Sequence, residues 1–429
     1  MSQQSSTPPR GFRDLLPRDV SKRDFVLGQI ARVYERRGYR RIETPSLEQI
    51  DRLRSGEGGE NETLIFGVLR RGLSPIVPEG TTLASLTDLG LRYDLTVPLS
   101  RFIATNMAKL ALPFRSFQVG PVWRAERPQS GRFRQFTQCD IDLIGEPSVL
   151  AEIELVEATT EALSTIGIGG MTVRISDRRI LVAIAEASRI PEELRATFFI
   201  TLDKLDKIEW KGVREELSLK GIDDAAARKA EELVLGLSGL EVGTTMEAIA
   251  RLLPDLSAVV VEDLSTTLSS LEGLVAQKVR VVFDPTLVRG MGYYTGQIFE
   301  IGIKGSTSSI AGGGRYDKLI GRFAGKEIPA CGFSIGFERI IDLASDAPVT
   351  DRLALLFESE VSTSRVLAFA AQYRSQGRTV VVLRRIGKLK SQLDRLAADG
   401  CTSWVLLDSA GAETSPSERP LERISVTEK

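Results

Sequence analysis

Apolar and polar residues alternate with a period of two in two neighbouring stretches in the first third of the chain. The stretches are VWRAE and RQFTQCDIDLI, and such alternation is typical of β-strands with one buried face. The pattern predicts an antiparallel hairpin between residues 114 and 145. The loop at its tip contains a glycine and five charged residues, Arg124, Glu126, Arg127, Arg132 and Arg134.

The arginines of this loop suit a polyphosphate ligand. A guanidinium group is a planar fork of donors that matches phosphate oxygens two at a time, and it stays ionised at any physiological pH. A solvated cluster of surface charges is the alternative that the segment alone leaves open.

Helical spacing of apolar residues predicts a helix from Asp19 to Arg37, with Gly38 at its C-terminal end. The segment RRIETPSLEQIDRL then predicts a strand reaching Pro45 and a second helix. Residues 56–90 look loop-rich, and Thr96 and Pro98 suit the start of a further helix.

The predicted secondary structure changes several times in the second half of the chain. Helical patterns dominate from about residue 191 to 271, which favours a helical insertion over a simple continuation of the main domain, and strand patterns return at VRVVFDP and QIFEIGI. From Leu353 strands and helices alternate as in a small unit with a mostly parallel sheet. Its segment RRIGKLKSQLDRL is either a basic face for RNA phosphate or a solvated helix, and the residues after Leu407 look disordered. We predict four segments, 1–172, 173–276, 277–346 and 352–429.

Composition narrows the function classes. The chain has 429 residues, a formal net charge of -1 and 42% hydrophobic residues, which is ordinary for a globular protein of two or three domains. It has neither a long apolar run nor a signal peptide at its N-terminus, so we expect a cytoplasmic protein without a membrane span. Cys139, Cys331 and Cys401 lie far apart, which predicts buried, reduced thiols.

The chain contains no histidine. Mechanisms that need a histidine base or a histidine metal ligand are therefore excluded. The chemistry that remains depends on positioning, arginines, carboxylates and Mg²⁺, as in phosphoryl and nucleotidyl transfer.

Two later segments add candidate site residues. LVRGMGYYTGQIFEI places Arg289 before a turn that contains Tyr293, Tyr294 and Thr295. SSIAGGGRYDKLIGRF contains a glycine triplet, residues 312–314, which lets a backbone approach a ligand closely or forms a flexible turn.

The spacing R-x-E followed by R-x-x-x-F resembles the second signature motif of class II aminoacyl-tRNA synthetases. The resemblance implies that Arg124 grips the α-phosphate of ATP and the substrate carboxylate. It also implies that Glu126 orients ATP, Arg132 reaches the distal phosphates and Phe136 stacks on adenine.

The segment GFSIGFERI resembles the third class II motif, and RRIETPSLEQIDRL resembles the first. The third motif implies close packing at Gly336, organisation of the ATP site by Glu338 and γ-phosphate binding by Arg339. The first motif implies a homodimer interface.

The glycine and tyrosine segments resemble peptides peculiar to histidyl-tRNA synthetases. In that family Arg289 would replace a cation beside the α-phosphate, and Tyr294 would contact the imidazole of histidine. Gly312, Gly313 and Gly314 would form a pocket wall. The same resemblance places six side chains in the histidine pocket besides Arg124 and Arg289, namely Asp94, Thr96, Gln138, Asp142, Tyr293 and Tyr294. This chain departs from the family at Gly292, where an aspartate is usual.

The resemblance implies an α/β (α+β) fold, with an antiparallel sheet flanked by helices, a helical insertion and a small C-terminal α/β domain shortened relative to the family. It implies a histidine-tRNA ligase that uses ATP and Mg²⁺ and whose partners are histidine, ATP, tRNA(His) and a second copy of the chain. The metal ligands are not predicted. Two alternatives stay open, a regulatory subunit of ATP phosphoribosyltransferase and a paralogue that forms an aminoacyl-adenylate for another acceptor.

Overall fold

A computed structural model describes residues 6–54, 63–74, 76, 80–127, 133–240, 242–288, 293–306, 308–348, 350–408 and 418–421. By its internal contacts the chain divides into two compact units, one of Met1–Leu15 and Arg23–Ser345 and one of Leu16–Lys22 and Asp346–Lys429. Arg132, Arg289 and Gly292, together with most of the predicted disordered tail, lie outside the described residues.

The strands of the first unit are β1 (Arg40–Arg41), β2 (Leu47–Gln49), β3 (Gly67–Leu69), β4 (Thr87–Leu91), β5 (Phe114–Trp123), β6 (Gln135–Ile144), β7 (Met171–Asp177), β8 (Arg280–Phe283), β9 (Gln297–Ile303), β10 (Ala311–Arg315) and β11 (Ala330–Gly336).

The helices that begin in or belong to this part of the chain are α1 (Pro17–Arg36), α2 (Ile50–Arg54), α3 (Leu83–Leu86), α4 (Thr96–Asn106), α5 (Leu150–Thr165), α6 (Arg178–Ala187), α7 (Glu192–Leu202), α8 (Leu205–Leu219), α9 (Asp224–Leu237), α10 (Val242–Leu252), α11 (Ala258–Ser270), α12 (Asp317–Ala324) and α13 (Phe337–Ile340). Short 3₁₀ helices span Met107–Lys109 and Leu271–Gln277.

Most of the long strands form one sheet in the order β1-β5-β6-β11-β10-β9-β7-β8. The pairs β1–β5 and β7–β8 are parallel, and the other described pairs of this sheet are antiparallel. A smaller sheet has the order β2-β4-β3. The predicted fold class, a mostly antiparallel sheet flanked by helices, is confirmed.

One face of the large sheet is polar. Residues paired in register share a face, because side chains alternate along each strand. Gln118, Asp140, Ser334 and Gly312 form one such row across β5, β6, β11 and β10. The alternation that predicted the hairpin therefore places polar side chains on this face.

The opposite face is apolar and carries the main core. The next row contains Phe117, Ile141, Phe333 and Phe299, all of them almost fully buried. Apolar residues of α1 and α5 belong to the same core cluster, which also includes residues of the helices between β7 and β8. Burial of this face fixes the register, so the polar row is held opposite it.

Local signals explain several element ends. Gly38 follows α1 with a φ of +83°, a left-handed conformation that suits glycine, and the end predicted there is confirmed. Asp177 caps α6, because its Oδ1 accepts the backbone N–H of Arg179 at 2.8 Å.

One predicted strand is wrong in length. The segment before Pro45 contains only the two-residue strand β1, and a second short strand, β2, precedes the helix. The backbone N–H of Ile42 still bonds the carbonyl oxygen of Phe117 at 2.9 Å, but the pairing ends before Pro45, which has no N–H to donate. The stretch described as loop-rich also contains β3, α3 and β4.

The second unit contains a four-stranded sheet in the order β13-β12-β14-β15, counted over the described residues. Its strands and helices are β12 (Arg352–Phe357), α14 (Thr363–Ser375), β13 (Thr379–Arg384), α15 (Leu389–Ala398), β14 (Ser403–Leu407) and β15 (Arg419–Pro420). Strands β12, β13 and β14 are parallel, as the alternation of strand and helix patterns predicts. The three cysteines of the chain are buried free thiols, as expected.

Candidate active site

A cavity of about 430 Å³ opens on the polar face of the large sheet. It brings together side chains from distant parts of the sequence. The predicted site residues that line it are Thr96, Arg124, Glu126, Phe136, Gln138, Asp142, Tyr293, Tyr294, Gly312, Gly313, Glu338 and Arg339. Two other predicted residues, Asp94 and Gly314, are buried without lining it, and Arg132 and Arg289 are not among the described residues.

Strand β6 runs along the cavity from one end to the other. Phe136, Gln138 and Asp142 are separated by even numbers of residues and therefore point to the same face. At about 3.4 Å per residue, Phe136 and Asp142 lie roughly 20 Å apart along the strand. We call the end near Phe136 the arginine end and the end near Asp142 the acidic end.

Arg124 and Phe136 meet at the arginine end. The guanidinium carbon of Arg124 lies 5.0 Å from the centroid of the Phe136 ring, and its Nε donates to the carbonyl oxygen of Tyr93 at 3.1 Å. These two contacts fix the plane of the guanidinium group before any ligand binds.

Glu338, at the start of α13, has two arginine partners. Arg23 binds it through both nitrogens of its fork, at 2.7 and 2.8 Å, and Arg13 forms a further ion pair with Oε2. The backbone N–H of Thr137 donates to Oε1 at 3.1 Å. Burial alone would raise the pKa of Glu338, but the hydrogen bonds and charge of Arg23 outweigh it and lower the pKa.

Arg339 is oriented by the loop before β10. Its Nη1 donates to the carbonyl oxygen of Ser309, and both residues line the cavity. The arginine end therefore presents guanidinium groups of Arg124 and Arg339 and an aromatic ring, a combination that suits anionic oxygens beside a flat heterocycle.

The acidic end contains two aspartates in succession on the polar face, Asp140 and Asp142. Both line the cavity and are nearly fully buried. Burial raises the pKa of Asp142 to about 7, against which hydrogen bonds from Tyr316 and Ser116 act. Burial also raises the pKa of Asp140, and the charge of Asp142 raises it further. A ligand with a cationic group or with N–H donors would stabilise these carboxylates in their ionised form.

Hydrogen bonds hold the acidic end in place. The hydroxyl of Tyr316 donates to Oδ1 of Asp142 at 2.6 Å, and Nε2 of Gln138 donates to Oγ of Ser334 at 3.0 Å. Within the described parts of the chain, Oε1 of Gln138 and Oδ1 of Asp140 have no hydrogen-bond partner. Buried polar atoms of this kind are usually paired, so they are available to a bound molecule.

Asp94 precedes α4 and is almost fully buried. Its Oδ1 accepts the backbone N–H of Val97 at 3.1 Å, while its Oδ2 has no hydrogen-bond partner among the residues that the structure describes. Burial raises the pKa of Asp94 to about 6, although the backbone hydrogen bonds and Arg124 act against the rise. Tyr293 packs edge-to-face on Tyr294, with ring centroids 4.9 Å apart, and both rings line the cavity.

Close packing explains the glycines of β10. A Cβ atom at Gly313 would lie 2.0 Å from the carbonyl oxygen of Gly332 on the adjacent strand, so no other residue fits without a backbone shift. A Cβ atom at Gly314 would meet the carbonyl oxygen of Gln297 at 2.7 Å. At Gly336, where close packing is also predicted, the nearest atom is 3.4 Å away, which is an ordinary contact.

Several residues in or next to the cavity are not predicted from the sequence, and four of them bear on its chemistry. Asp140 has the same period-two position as Gln138 and Asp142, and that alternation could have identified it. Tyr316 is the second residue after the glycine triplet, but no sequence rule links it to Asp142. Arg13 and Arg23 reach Glu338 only through the tertiary structure.

The described part of the chain contains no group of three or more His, Cys, Asp or Glu side chains arranged to hold a metal ion. Among the same residues no helix combines the length and apolar character needed to cross a bilayer.

Comparison with known proteins identifies the family. A family profile described as histidyl-tRNA synthetase matches residues 11–340. The chain is 47% identical to the histidine-tRNA ligase of Leifsonia xyli subsp. xyli, over 97% of this chain and 99% of that protein. It is 41% identical to a probable histidine-tRNA ligase of Tropheryma whipplei, over 94% of this chain and 95% of that one.

Solved structures agree. Histidyl-tRNA synthetase from Nostoc sp. PCC 7120 superposes with a TM-score of 0.78 at 27% identity and covers 97% of each chain. A Bacillus halodurans protein described as an ATP phosphoribosyltransferase regulatory subunit/histidyl-tRNA synthetase has a TM-score of 0.78 at 21% identity, over 95% of this chain and all of that one, and this likeness shows a shared fold. The chain belongs to the histidyl-tRNA synthetase family.

Proposed function

We propose that the chain activates histidine with ATP and transfers it to tRNA(His). The observation that carries the proposal is a single cavity with guanidinium groups and Phe136 at one end and buried carboxylates at the other. ATP offers anionic oxygens and an adenine ring, while histidine offers an ammonium group and imidazole N–H donors. Relatives named histidine-tRNA ligase over nearly the full length support the same assignment.

At the arginine end, Arg124 binds the α-phosphate and the histidine carboxylate, and Phe136 stacks on adenine. Glu126 orients ATP and Arg339 binds the γ-phosphate. Arg132 and Arg289 are assigned to the distal phosphates and the α-phosphate on the sequence resemblance alone, since they lie outside the described residues.

At the acidic end, Gln138 and Asp142 accept hydrogen bonds from histidine, together with Asp94 and Thr96, and the rings of Tyr293 and Tyr294 flank the imidazole. Gly312 and Gly313 form a wall, and Gly314 is assigned to it on the sequence resemblance alone. Buried acceptors that only an N–H donor can pair would reject apolar amino acids, because the wrong side chain would leave these acceptors unpaired.

The activation step is an in-line displacement. The histidine carboxylate attacks the α-phosphorus, a new P–O bond forms, and pyrophosphate leaves with the electrons of the broken P–O bond. The attacking group is already an anion, so no protein base is needed, which suits a chain without histidine. Arg124 and Arg289 stabilise the charge that develops on the α-phosphate oxygens.

Mg²⁺ fits the arginine end, where Glu126 supplies a carboxylate next to the site proposed for the triphosphate. Mg²⁺ is usually bound through one or two carboxylates and substrate phosphates, and it neutralises phosphate charge. We also propose a homodimer and, because the proposed partner is tRNA, a cytoplasmic location. Exposed Leu47 and Leu69 on the small sheet suit a subunit contact.

Histidine-dependent exchange of pyrophosphate into ATP, repeated with charging of tRNA(His), tests the function. We expect both activities with histidine and neither with other amino acids. Exchange without charging would indicate a paralogue with another acceptor, and absence of both would indicate a regulatory protein. The variant Arg289→Ala should lose exchange while it retains more of its histidine binding.

A further inference from the structure

The segment before α1 is hydrogen-bonded to the loop that joins β5 and β6. The carbonyl oxygen of Gly11 accepts the backbone N–H of Arg134 at 2.8 Å, and that of Arg10 accepts Nη1 of Arg134 at 3.4 Å. The ring of Phe12 lies 6.3 Å from that of Phe66. Arg134 is one of the arginines of the hairpin loop, and its two hydrogen bonds attach residues 10 and 11 to that loop. We call residues 10–13 the N-terminal strap.

Arg13 is the last residue of the strap, and its side chain contacts two residues that line the cavity. Its guanidinium carbon lies 4.0 Å from the centroid of the Phe133 ring, and its Nη2 forms an ion pair with Glu338. Phe133 and Glu338 both line the cavity. Arg13 therefore connects the end of the arginine hairpin to the start of α13.

Arg23, on α1, binds the same carboxylate. Its two terminal nitrogens bind the two oxygens of Glu338, and Nη2 also donates to the hydroxyl of Thr137 at 2.9 Å. The guanidinium carbon lies 4.9 Å from the centroid of the Phe337 ring. A bidentate ion pair of this kind is short, charge-assisted and strongly directional.

One arginine would be enough to neutralise Glu338, so the second partner calls for another explanation. The side chain of Glu338 is 10% exposed and that of Arg13 is 39% exposed, so Arg13 contributes little by charge alone. Its stacking on Phe133 gives it a geometric role, because it fixes a ring and a carboxylate relative to each other.

We propose that Arg13 and Arg23 are positioning residues for ATP: they hold Glu338 and, through Arg13, Phe133 in the arrangement that the nucleotide meets. This inference rests on the proposed function, because it assigns the arginine end to ATP. Neither arginine lines the cavity, so both act through Glu338 and Phe133.

The variant Arg13→Ala tests the strap. We expect the affinity for a non-hydrolysable ATP analogue, measured by calorimetry, to fall about tenfold, because Phe133 and Glu338 lose the side chain that fixes them relative to each other. The affinity for histidine should not change. Arg13→Lys should recover only part of the ATP affinity, because lysine keeps the charge but loses the planar stacking. Arg32→Ala is the control, because Arg32 is an exposed arginine on α1, the helix of Arg23, and bonds Gln29.

A double-mutant cycle separates positioning from general stability. If Arg13 acts through Glu338, the Arg13→Ala change should have little further effect on ATP affinity in a Glu338→Gln background. Arg23→Ala should also lower the affinity for the ATP analogue, and Arg23→Lys replaces it if it does not fold. Thermal unfolding of each variant shows whether it is folded.

Three results would overturn the inference: unchanged ATP affinity in Arg13→Ala, fully additive effects in the cycle, or an equal loss of histidine and ATP affinity. Absence of ATP-analogue binding to the wild-type chain would overturn it as well. Because these readouts are binding constants, they stand apart from the exchange assay. If the wild-type chain binds the ATP analogue but shows no exchange, the proposed function is contradicted, whereas the inference about Arg13 and Arg23 still stands.

Discussion

Asp142 lies on β6 with its carboxyl group inside the protein, where the hydroxyl of Tyr316 donates to it at 2.6 Å. Removal from water penalises the ionised form more than this bond stabilises it, so the pKa rises from the ordinary 3.8 to about 7. The folded protein therefore binds a proton at this site at pH values where the unfolded chain does not. The resulting stabilisation is complete below pH 4 and is lost as the pH rises to about 7.

The variant Asp142→Asn should remove this pH dependence. Asparagine keeps an acceptor for Tyr316 but carries no charge to bury. From pH 5 to pH 8 the wild type should lose roughly 2 kcal/mol or more of its free energy of unfolding through Asp142, and the variant should not show this loss. Urea unfolding of the ligand-free proteins at the two pH values measures the difference. A constant difference would show that Asp142 is ionised in the folded protein at both.

A motif and a strand period coincide at some of the predicted site residues, and the structure brings these residues to one cavity, while their roles in binding stay predictions. Gln138 and Asp142 were assigned to one pocket from their resemblance to a family, and the structure places both on the cavity wall. Asp140 shares their alternation but had no counterpart in the motif as interpreted. Arg13 could not be predicted, because its contact with Glu338 spans 325 positions of the sequence and depends on the finished fold.

Helix α5 and strand β10 are joined by one buried ion pair. Nε and Nη2 of Arg315, the last residue of β10, donate to the two oxygens of Glu152 at 2.6 and 2.7 Å. The side chain of Glu152 is 1% exposed. The pair lies on the core face of the sheet, two positions along β10 from Gly313, which lines the cavity.

The variant Glu152→Gln should destabilise the first unit by roughly 3 kcal/mol, because the buried guanidinium group loses its bidentate counter-charge and keeps only the longer ion pair with Asp317, at 3.3 Å. Glu232→Gln is the control, because Glu232 pairs with Lys229 on the exposed face of α9, and no measurable change is expected there. Thermal unfolding measures both. Equal behaviour of the two variants would mean that Arg315 finds another partner.

Elements with a long, regular period were predictable, and short ones were not. The hairpin of β5 and β6 and the helix α1 follow directly from their apolar spacing. The strands β1, β2 and β3 have only two or three residues, so no period can be seen in them. Their pairing is imposed by neighbouring strands rather than by local preference.

The two units should respond differently to ligands. The cavity is lined by residues of the first unit, so ligands that fill it stabilise the native state of that unit. Binding at 100 times the dissociation constant contributes about 2.7 kcal/mol.

Hydrogen exchange with histidine and an ATP analogue present tests this. We expect slower exchange of backbone amides in β6 and β11, with no comparable change in β12 and β13. The ligand-free protein is the reference, and histidine added alone serves as the control for the nucleotide. Protection of β12 as strong as that of β6 would place a binding site on the second unit.

Strand β11 pairs with β6 on one side and β10 on the other, although nearly 200 residues separate β6 from β11 in the sequence. During translation β6 leaves the ribosome long before β11 exists, so the nascent chain carries an unpaired strand edge while the helices between β7 and β8 are being made. Open edges of this kind recruit other strands, and pairings between distant segments form slowly. We therefore expect unfinished chains that stop before β11 to be the species most prone to aggregate and most dependent on chaperones.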